Sequence, residues 1–205
     1  MLDNKDFDLW ANGYERSVGV SEDQGTYPFA GYNQILSEIY NKVLAGKGKT
    51  VLDIGFGTGT LATKLYNQGF NVWGQDFSEK MIELARKRMP EARLYQGNFM
   101  KGLVPELKQN TYDAIVATYS LHHLADEKKV TLIKELLLLL NDEGCIYIGD
   151  VAFRTRAELE NCKALLGNEW DDDEFYFVAD ELAKSFSRVR FDQFSFCSGL
   201  LSLKR

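Results

Sequence analysis

The sequence predicts an α/β fold: an open, mostly parallel sheet with helices on both faces and an antiparallel strand pair at its C-terminal edge. Three observations carry this. From Lys49 onward, short apolar runs bounded by glycines alternate with amphipathic stretches of helical length. The run "VLDIGFGTG" puts a glycine turn between the first strand and the first helix of that alternation. The tail "RVRFDQFSFCSGLLSLKR" breaks the rhythm and reads as two strands joined by a turn near Ser198 and Gly199.

Ile35, Ile39 and Val43 recur at helical spacing, with Leu36, Tyr40 and Leu44 beside them, and Gly46 ends this first helix. "KTVLDIG" is a buried strand, and "TLATKLYNQG" is a helix closed by Gly69. "FNVWGQD" repeats the strand. Ser78 caps "SEKMIELARKRM", where Glu79 favours the positive end of the dipole, Glu83 has the spacing to pair with Lys87, and Pro90 stops the helix. "ARLYQGN" and "YDAIVATYS" are the third and fourth strands. Asp126 is placed to cap a long helix from about Glu127 to Leu140, with Val130, Ile133, Leu137 and Leu140 on its apolar face. "NDEG" then turns the chain into "CIYIGDV", the fifth strand. Thr155 and Glu158 have capping-box spacing for a helix ending near Gly167, and the acidic loop "NEWDDDEF" separates it from a short helix around "DELAKSF".

With 205 residues, 45% hydrophobic and 26% charged, the chain suits one domain spanning 1–205. Lys and Arg total 24 against 30 Asp and Glu, so the formal charge of -6 offers no basic field to phosphate backbones or anionic lipid. Neither nucleic acid nor membrane is expected as a partner. The three cysteines, Cys145, Cys162 and Cys197, are odd in number and widely spaced, which points to buried thiols in a reducing compartment. The opening "MLDNKDFDLW" lacks an apolar signal core, and the apolar run "LIKELLLLL" is too short to span a bilayer, so the expected location is cytoplasmic.

In an open parallel sheet, ligands bind beyond the carboxyl ends of the strands, and Gly55, Gly57 and Gly59 occupy the first such turn. No Gly-Lys-Ser or Gly-Lys-Thr follows at the distance a Walker loop requires. The dinucleotide fingerprint also fails, because Thr60 stands where its third glycine belongs. Asp53, two residues before the turn, would repel a pyrophosphate. A cation suits the site better, and S-adenosylmethionine combines a nucleoside with a sulfonium and an ammonium. Asp53 would attract the ammonium. Asp76 ends the second strand 21 positions after Gly55 (76 minus 55), where a carboxylate can accept both ribose hydroxyls. A tight turn with a capping aspartate is the plainer account of either acid alone. The two acids at adjacent strand ends call for a shared ligand.

Together, "VLDIGFGTG", "VWGQDFSEKMIELARKR", "YDAIVATYSLHHL" and "CIYIGD" resemble the class I S-adenosylmethionine-dependent methyltransferases over about residues 30–150, and "FDLWANGYERSV" with "FAGYNQIL" resembles a group of small bacterial members. The resemblance implies a Rossmann-like seven-stranded sheet with an antiparallel C-terminal strand. It implies cofactor contacts at Tyr14, Asp53, Gly55, Gly57, Gly59, Asp76, Phe77, Asn98, Phe99 and Tyr119, with Asp76 on the ribose and Asn98 at the adenine. It also implies an N-terminal lid over residues 1–32, and 153–180 forms a small cap insert. "GNF" departs from the family's usual "GDF", exchanging a charged acceptor for a neutral one at Asn98.

Methyl transfer needs alignment and dryness more than a catalytic residue. Candidates beyond the fourth strand are Tyr119, Ser120, His122 and His123, the two histidines being the only ones in the chain. A hydrogen-bonded structural role for "LHHL" is the plainer reading. Phe7, Trp10 and Tyr14 form a helical stripe, while Tyr27, Phe29 and Tyr32 could line a pocket or form a lid's own core. No His, Cys or Asp cluster has ligand spacing, so no metal is expected. The expected activity is methylation of a small molecule, with a non-catalytic S-adenosylmethionine or S-adenosylhomocysteine binder and an NAD-dependent oxidoreductase as rivals. Nothing in the sequence sets the oligomeric state.

Overall fold

The structure, a computed structural model, describes residues 20–21 and 24–205. Phe7, Trp10 and Tyr14, and most of the expected lid segment, therefore lie outside the described residues. The elements in order are α1 (Tyr32–Ala45), β1 (Thr50–Ile54), α2 (Thr60–Tyr66), β2 (Asn71–Asp76), α3 (Glu79–Arg88), β3 (Arg93–Gln96), α4 (Pro105–Lys108) and β4 (Tyr112–Thr118). They continue as α5 (Asp126–Leu138), β5 (Leu140–Phe153), α6 (Arg156–Leu166), β6 (Phe177–Val178), α7 (Ala179–Leu182), β7 (Val189–Gln193) and β8 (Ser198–Leu203).

The sheet order is β3-β2-β1-β4-β5-β8-β7, with the short β6 pairing alongside β5. β1 through β5 run parallel, and β8 lies antiparallel between β5 and β7. The order reverses between β1 and β4, because β2 and β3 extend to one side and β4 and β5 to the other. The crevice beyond the carboxyl ends of β1 and β4 is thus the topological switch point, where such sheets take ligands.

Strand residues alternate between two cores, as the period of two demands. Val51, Ala114, Val116 and Val151 face the side covered by α1, α2, α3 and α6, where Ile35, Ile39, Leu65, Ile82 and Leu159 are buried. Leu52, Ile54, Ile115, Ile146 and Ile148 face the side covered by α4, α5 and α7, with Leu132, Ile133, Leu136 and Leu182. Capping follows sequence chemistry at two helices: Ser78 accepts the Met81 N–H at 3.2 Å, and Thr155 with Glu158 closes a reciprocal capping box. All three cysteines are buried free thiols.

Three local expectations are corrected. Asp126 begins α5 and pairs with Lys129 at 2.9 Å instead of capping it, and the helix ends at Leu138, so Leu140 already belongs to β5 opposite Tyr112. The turn between β7 and β8 lies at 194–197, where the Ser195 hydroxyl accepts the N–H groups of Cys197 and Ser198 at 3.2 and 3.1 Å. Gly199 is within β8, where a Cβ would come within 2.3 Å of the Phe191 ring. Its lack of a side chain serves packing between two strands.

Candidate active site

β1 delivers the glycine turn to the crevice, and its three glycines serve three needs. A Cβ at Gly55 would lie 2.4 Å from that of Ser120, so the bare backbone lets the ends of β1 and β4 approach, and the Ser120 hydroxyl then donates to the Ile54 carbonyl at 2.8 Å. Gly57 has φ 55 and nothing within 4 Å of where a Cβ would stand, so its backbone is open to the crevice. At Gly59 a Cβ would press on the Met89 methyl at 2.8 Å, which makes it a helix-packing position. Of the three, Gly55 and Gly57 line the crevice.

Asp76 ties this turn together. Its Oδ2 accepts the Gly57 N–H at 2.8 Å and its Oδ1 the Ser78 N–H at 2.9 Å, so one carboxylate joins the loops after β1 and β2. Asp53 is only 2% exposed, and its Oδ1 has no hydrogen-bond partner among the described residues. Burial, with the Asp76 charge added, pushes its carboxyl up to about 8. An acid held this way at a strand end is costly unless a cationic donor satisfies it.

Phe77 and Phe99 line the crevice with ring centroids 6.5 Å apart at 73°. Asn98 does not line it. Its Oδ1 accepts the Met100 N–H at 2.9 Å and caps the short turn at Phe99–Lys101. On the far side, Tyr119 follows β4 with φ 49, a left-handed conformation that a bulky residue keeps only when its surroundings impose it. Its ring is packed by Phe29 and Tyr32, each 5.2 Å away between centroids. Burial, reinforced by Asp150, holds its phenol well above the ordinary range. The Tyr119 hydroxyl lacks a well-formed hydrogen bond among the described residues, because the neighbouring Ser198 hydroxyl donates to the Ala30 carbonyl at 2.6 Å. Tyr32, like Tyr119, lines the crevice; Tyr27 instead stacks on Trp170 at 5.7 Å and hydrogen-bonds to the Tyr176 hydroxyl.

The histidines occupy the turn after Tyr119. His122 Nδ1 lies 2.7 Å from Oδ1 of Asp150, a fully buried residue at the end of the parallel part of β5. Burial opposes charge on His122, but Asp150 and Glu174 outweigh it and raise its pKa. His123 lines the crevice and places Nδ1 3.0 Å from Glu174 Oε2, which is itself 3.7 Å from His122 Nε2. Burial opposes charge on Glu174 too, yet the two imidazoles hold its carboxyl below the usual range. Asp150 and Glu174 carry no sequence signal, since neither has motif spacing to the histidines. They arrive through the sheet and through the loop after α6, whose Phe175 N–H donates to the His122 carbonyl at 2.8 Å.

A larger groove of about 890 Å³ lies at the opposite end of the sheet, beside Gly48, Asp113, Glu143, Arg188 and Lys204. Its charged groups are largely paired: Lys47 pairs with Glu143 at 2.9 Å, and Asp113 accepts from the Thr50 N–H and the Asn141 amide. Among the described residues it brings together no buried unsatisfied acid. Size alone does not make it the site.

Residues 51–144 match the family described as a methyltransferase domain. The chain is 33% identical over 183 residues to an uncharacterized methyltransferase of Alkaliphilus oremlandii, spanning 89% of this chain and 81% of that one. It is 34% identical over 193 residues to an uncharacterized methyltransferase of Geobacillus kaustophilus, spanning 90% and 86%. Among solved structures, its fold is similar to that of the magnesium protoporphyrin IX methyltransferase of Synechocystis PCC 6803 with bound SAH (TM-score 0.70, 19% identity, 99% of this chain and 100% of that one). It is also similar to the DhpI–SAH complex (TM-score 0.71, 15% identity, 98% and 94%).

Proposed function

The chain belongs to the methyltransferase-domain family, and from that premise we propose that it moves a methyl group from S-adenosylmethionine to a small-molecule acceptor by in-line displacement. The observation that carries this is the orphaned Oδ1 of buried Asp53 beside Asp76 and the open Gly57 backbone. A cationic, phosphate-free nucleoside fits that set, and a pyrophosphate does not. When bound, S-adenosylmethionine supplies a methyl carbon already activated by its sulfonium.

The residues present would then divide the work. Asp53 receives the ammonium, Asp76 accepts from the ribose hydroxyls on lone pairs beyond those taken by Gly57 and Ser78, and Phe77 and Phe99 flank the base. Asn98 keeps the loop under the base in shape through its cap on Met100, and Gly59 keeps α2 close to α3; both act on the cofactor indirectly. Tyr119, kept neutral by burial, faces the reacting end with Phe29 and Tyr32, which exclude water from it. S-adenosylhomocysteine is expected to raise the melting temperature in a concentration-dependent way while NAD leaves it unchanged. A shift with NAD and none with S-adenosylhomocysteine would overturn the proposal.

A cover over the crevice would have to open for the cofactor to enter. That cover would combine the 1–32 lid with the 153–180 cap, whose described parts meet where Asp171 N–H donates to the Tyr27 hydroxyl at 3.2 Å and Trp170 stacks on Tyr27. Amide exchange over residues 24–32 and 167–177 is expected to slow several-fold on saturation with S-adenosylhomocysteine. Identical exchange with and without ligand would assign these aromatic contacts to static packing.

A further inference from the structure

We propose that His122, His123 and Glu174 form a binding site for a divalent transition-metal ion whose open coordination position faces the crevice. One ligand atom from each of the three lies within 4.8 Å of the others, and all three side chains are half-buried. A tetrahedral ion with ligands at about 2.0–2.1 Å sets neighbouring ligands about 3.3 Å apart. The measured 3.0 Å from Glu174 Oε2 to His123 Nδ1 and 3.7 Å to His122 Nε2 bracket that spacing. No hydrogen bond of acceptable geometry reaches buried Glu174 Oε2 among the described residues, despite the two imidazoles beside it. A shared cation would satisfy the Glu174 oxygen.

The surroundings support ligation. Asp150 engages His122 Nδ1 at 2.7 Å, which fixes the tautomer and turns the Nε2 lone pair toward Glu174, as carboxylates behind metal-bound histidines do. Asp150 is held in turn by the Val151 N–H at 2.8 Å. The Glu174 loop is pinned from both sides: Phe175 donates to His122, and its carbonyl accepts from buried Lys129. Two imidazoles and one carboxylate suit zinc or iron(II) better than magnesium or calcium, which prefer oxygen.

His123 also lines the crevice, so a ligand on the open position would sit at its acceptor end. Resting on the methyltransferase reading, this assigns the acceptor to molecules bearing an ionisable thiol or hydroxyl. Such a group gives its proton to solvent on ligating the ion, its lone pair forms the new bond to the methyl carbon, and the C–S electron pair returns to sulfur.

The test is calorimetric titration of chelator-treated protein with Zn²⁺ alone, with Co²⁺ absorption as a spectroscopic check. One ion per chain is expected, with affinity falling at least 100-fold in Glu174→Gln and in His123→Ala, and roughly 10- to 100-fold in Asp150→Asn. Melting temperature and S-adenosylhomocysteine affinity, measured on the same samples, report separately on folding and on the cofactor proposal. No stoichiometric binding by wild type, or equal binding by folded Glu174→Gln and His123→Ala, would overturn the site and leave an ion-paired latch. Loss of S-adenosylhomocysteine binding with intact Zn²⁺ binding would instead count against the function proposed above.

Discussion

Replacing Asp76 with alanine is expected to weaken S-adenosylhomocysteine binding roughly 10- to 150-fold, about 1.5–3 kcal/mol, because a charged acceptor for two hydroxyls is lost. The structure adds a second cause. The same carboxylate receives the Gly57 and Ser78 N–H groups, so its removal loosens the glycine turn as well as the ribose contact. Stability is pulled both ways: two backbone donors lose a charged partner, while buried Asp53 loses the like charge that adds to its burden. Asp76→Asn separates these effects. Its amide oxygen can keep one of the two backbone bonds, so the turn is largely retained while the charge is gone. Calorimetry should therefore rank wild type above Asp76→Asn and Asp76→Ala lowest. Unchanged affinity in a folded Asp76→Ala would place the ribose elsewhere.

What the sequence made legible was local. The alternation of runs fixed β1 through β5 and most of their helices, and the turn "GFGTG" with Asp53 and Asp76 could be read because strand, turn and helix follow one another within a few residues. The tertiary level was not legible. Gly59 and Asn98 match the cofactor motif by position, yet one packs against Met89 and the other caps its own turn. Glu174 is 52 positions from His122 (174 minus 122), and tertiary contacts such as the Phe175 bond to the His122 carbonyl and the buried Lys129 bring them together. Asp150 sits in "CIYIGD", read there only as strand. A two-residue strand such as β6 has no period to detect, and it forms because β5 extends past the rest of the sheet.

Binding of S-adenosylhomocysteine is expected to strengthen as pH rises from about 6 to 8, by roughly 50-fold, at up to 1.36 kcal/mol per pH unit. The cause is Asp53, which burial and then Asp76 push up to about 8. Without ligand its carboxyl keeps a proton across this range. An ammonium placed against it favours the charged form and pulls the pKa back down, so binding expels that proton, and the cost of expulsion shrinks as pH approaches 8. The same raised pKa has the opposite sign for folding. Above the unfolded value of about 4, the unfolded chain has lost the proton that the folded chain retains, so stability declines until pH passes about 8. Asp53→Asn should therefore raise the melting temperature of the free protein at pH 8, bind more weakly there, and flatten the pH dependence of binding. Every other ionisable group is retained in Asp53→Asn, so the difference between the two profiles isolates Asp53. A ligand lacking the amino group supplies the second control and should bind wild type with no gain toward pH 8. If wild type and Asp53→Asn show parallel profiles, the ammonium does not meet Asp53, and the unpartnered oxygen would need another cation.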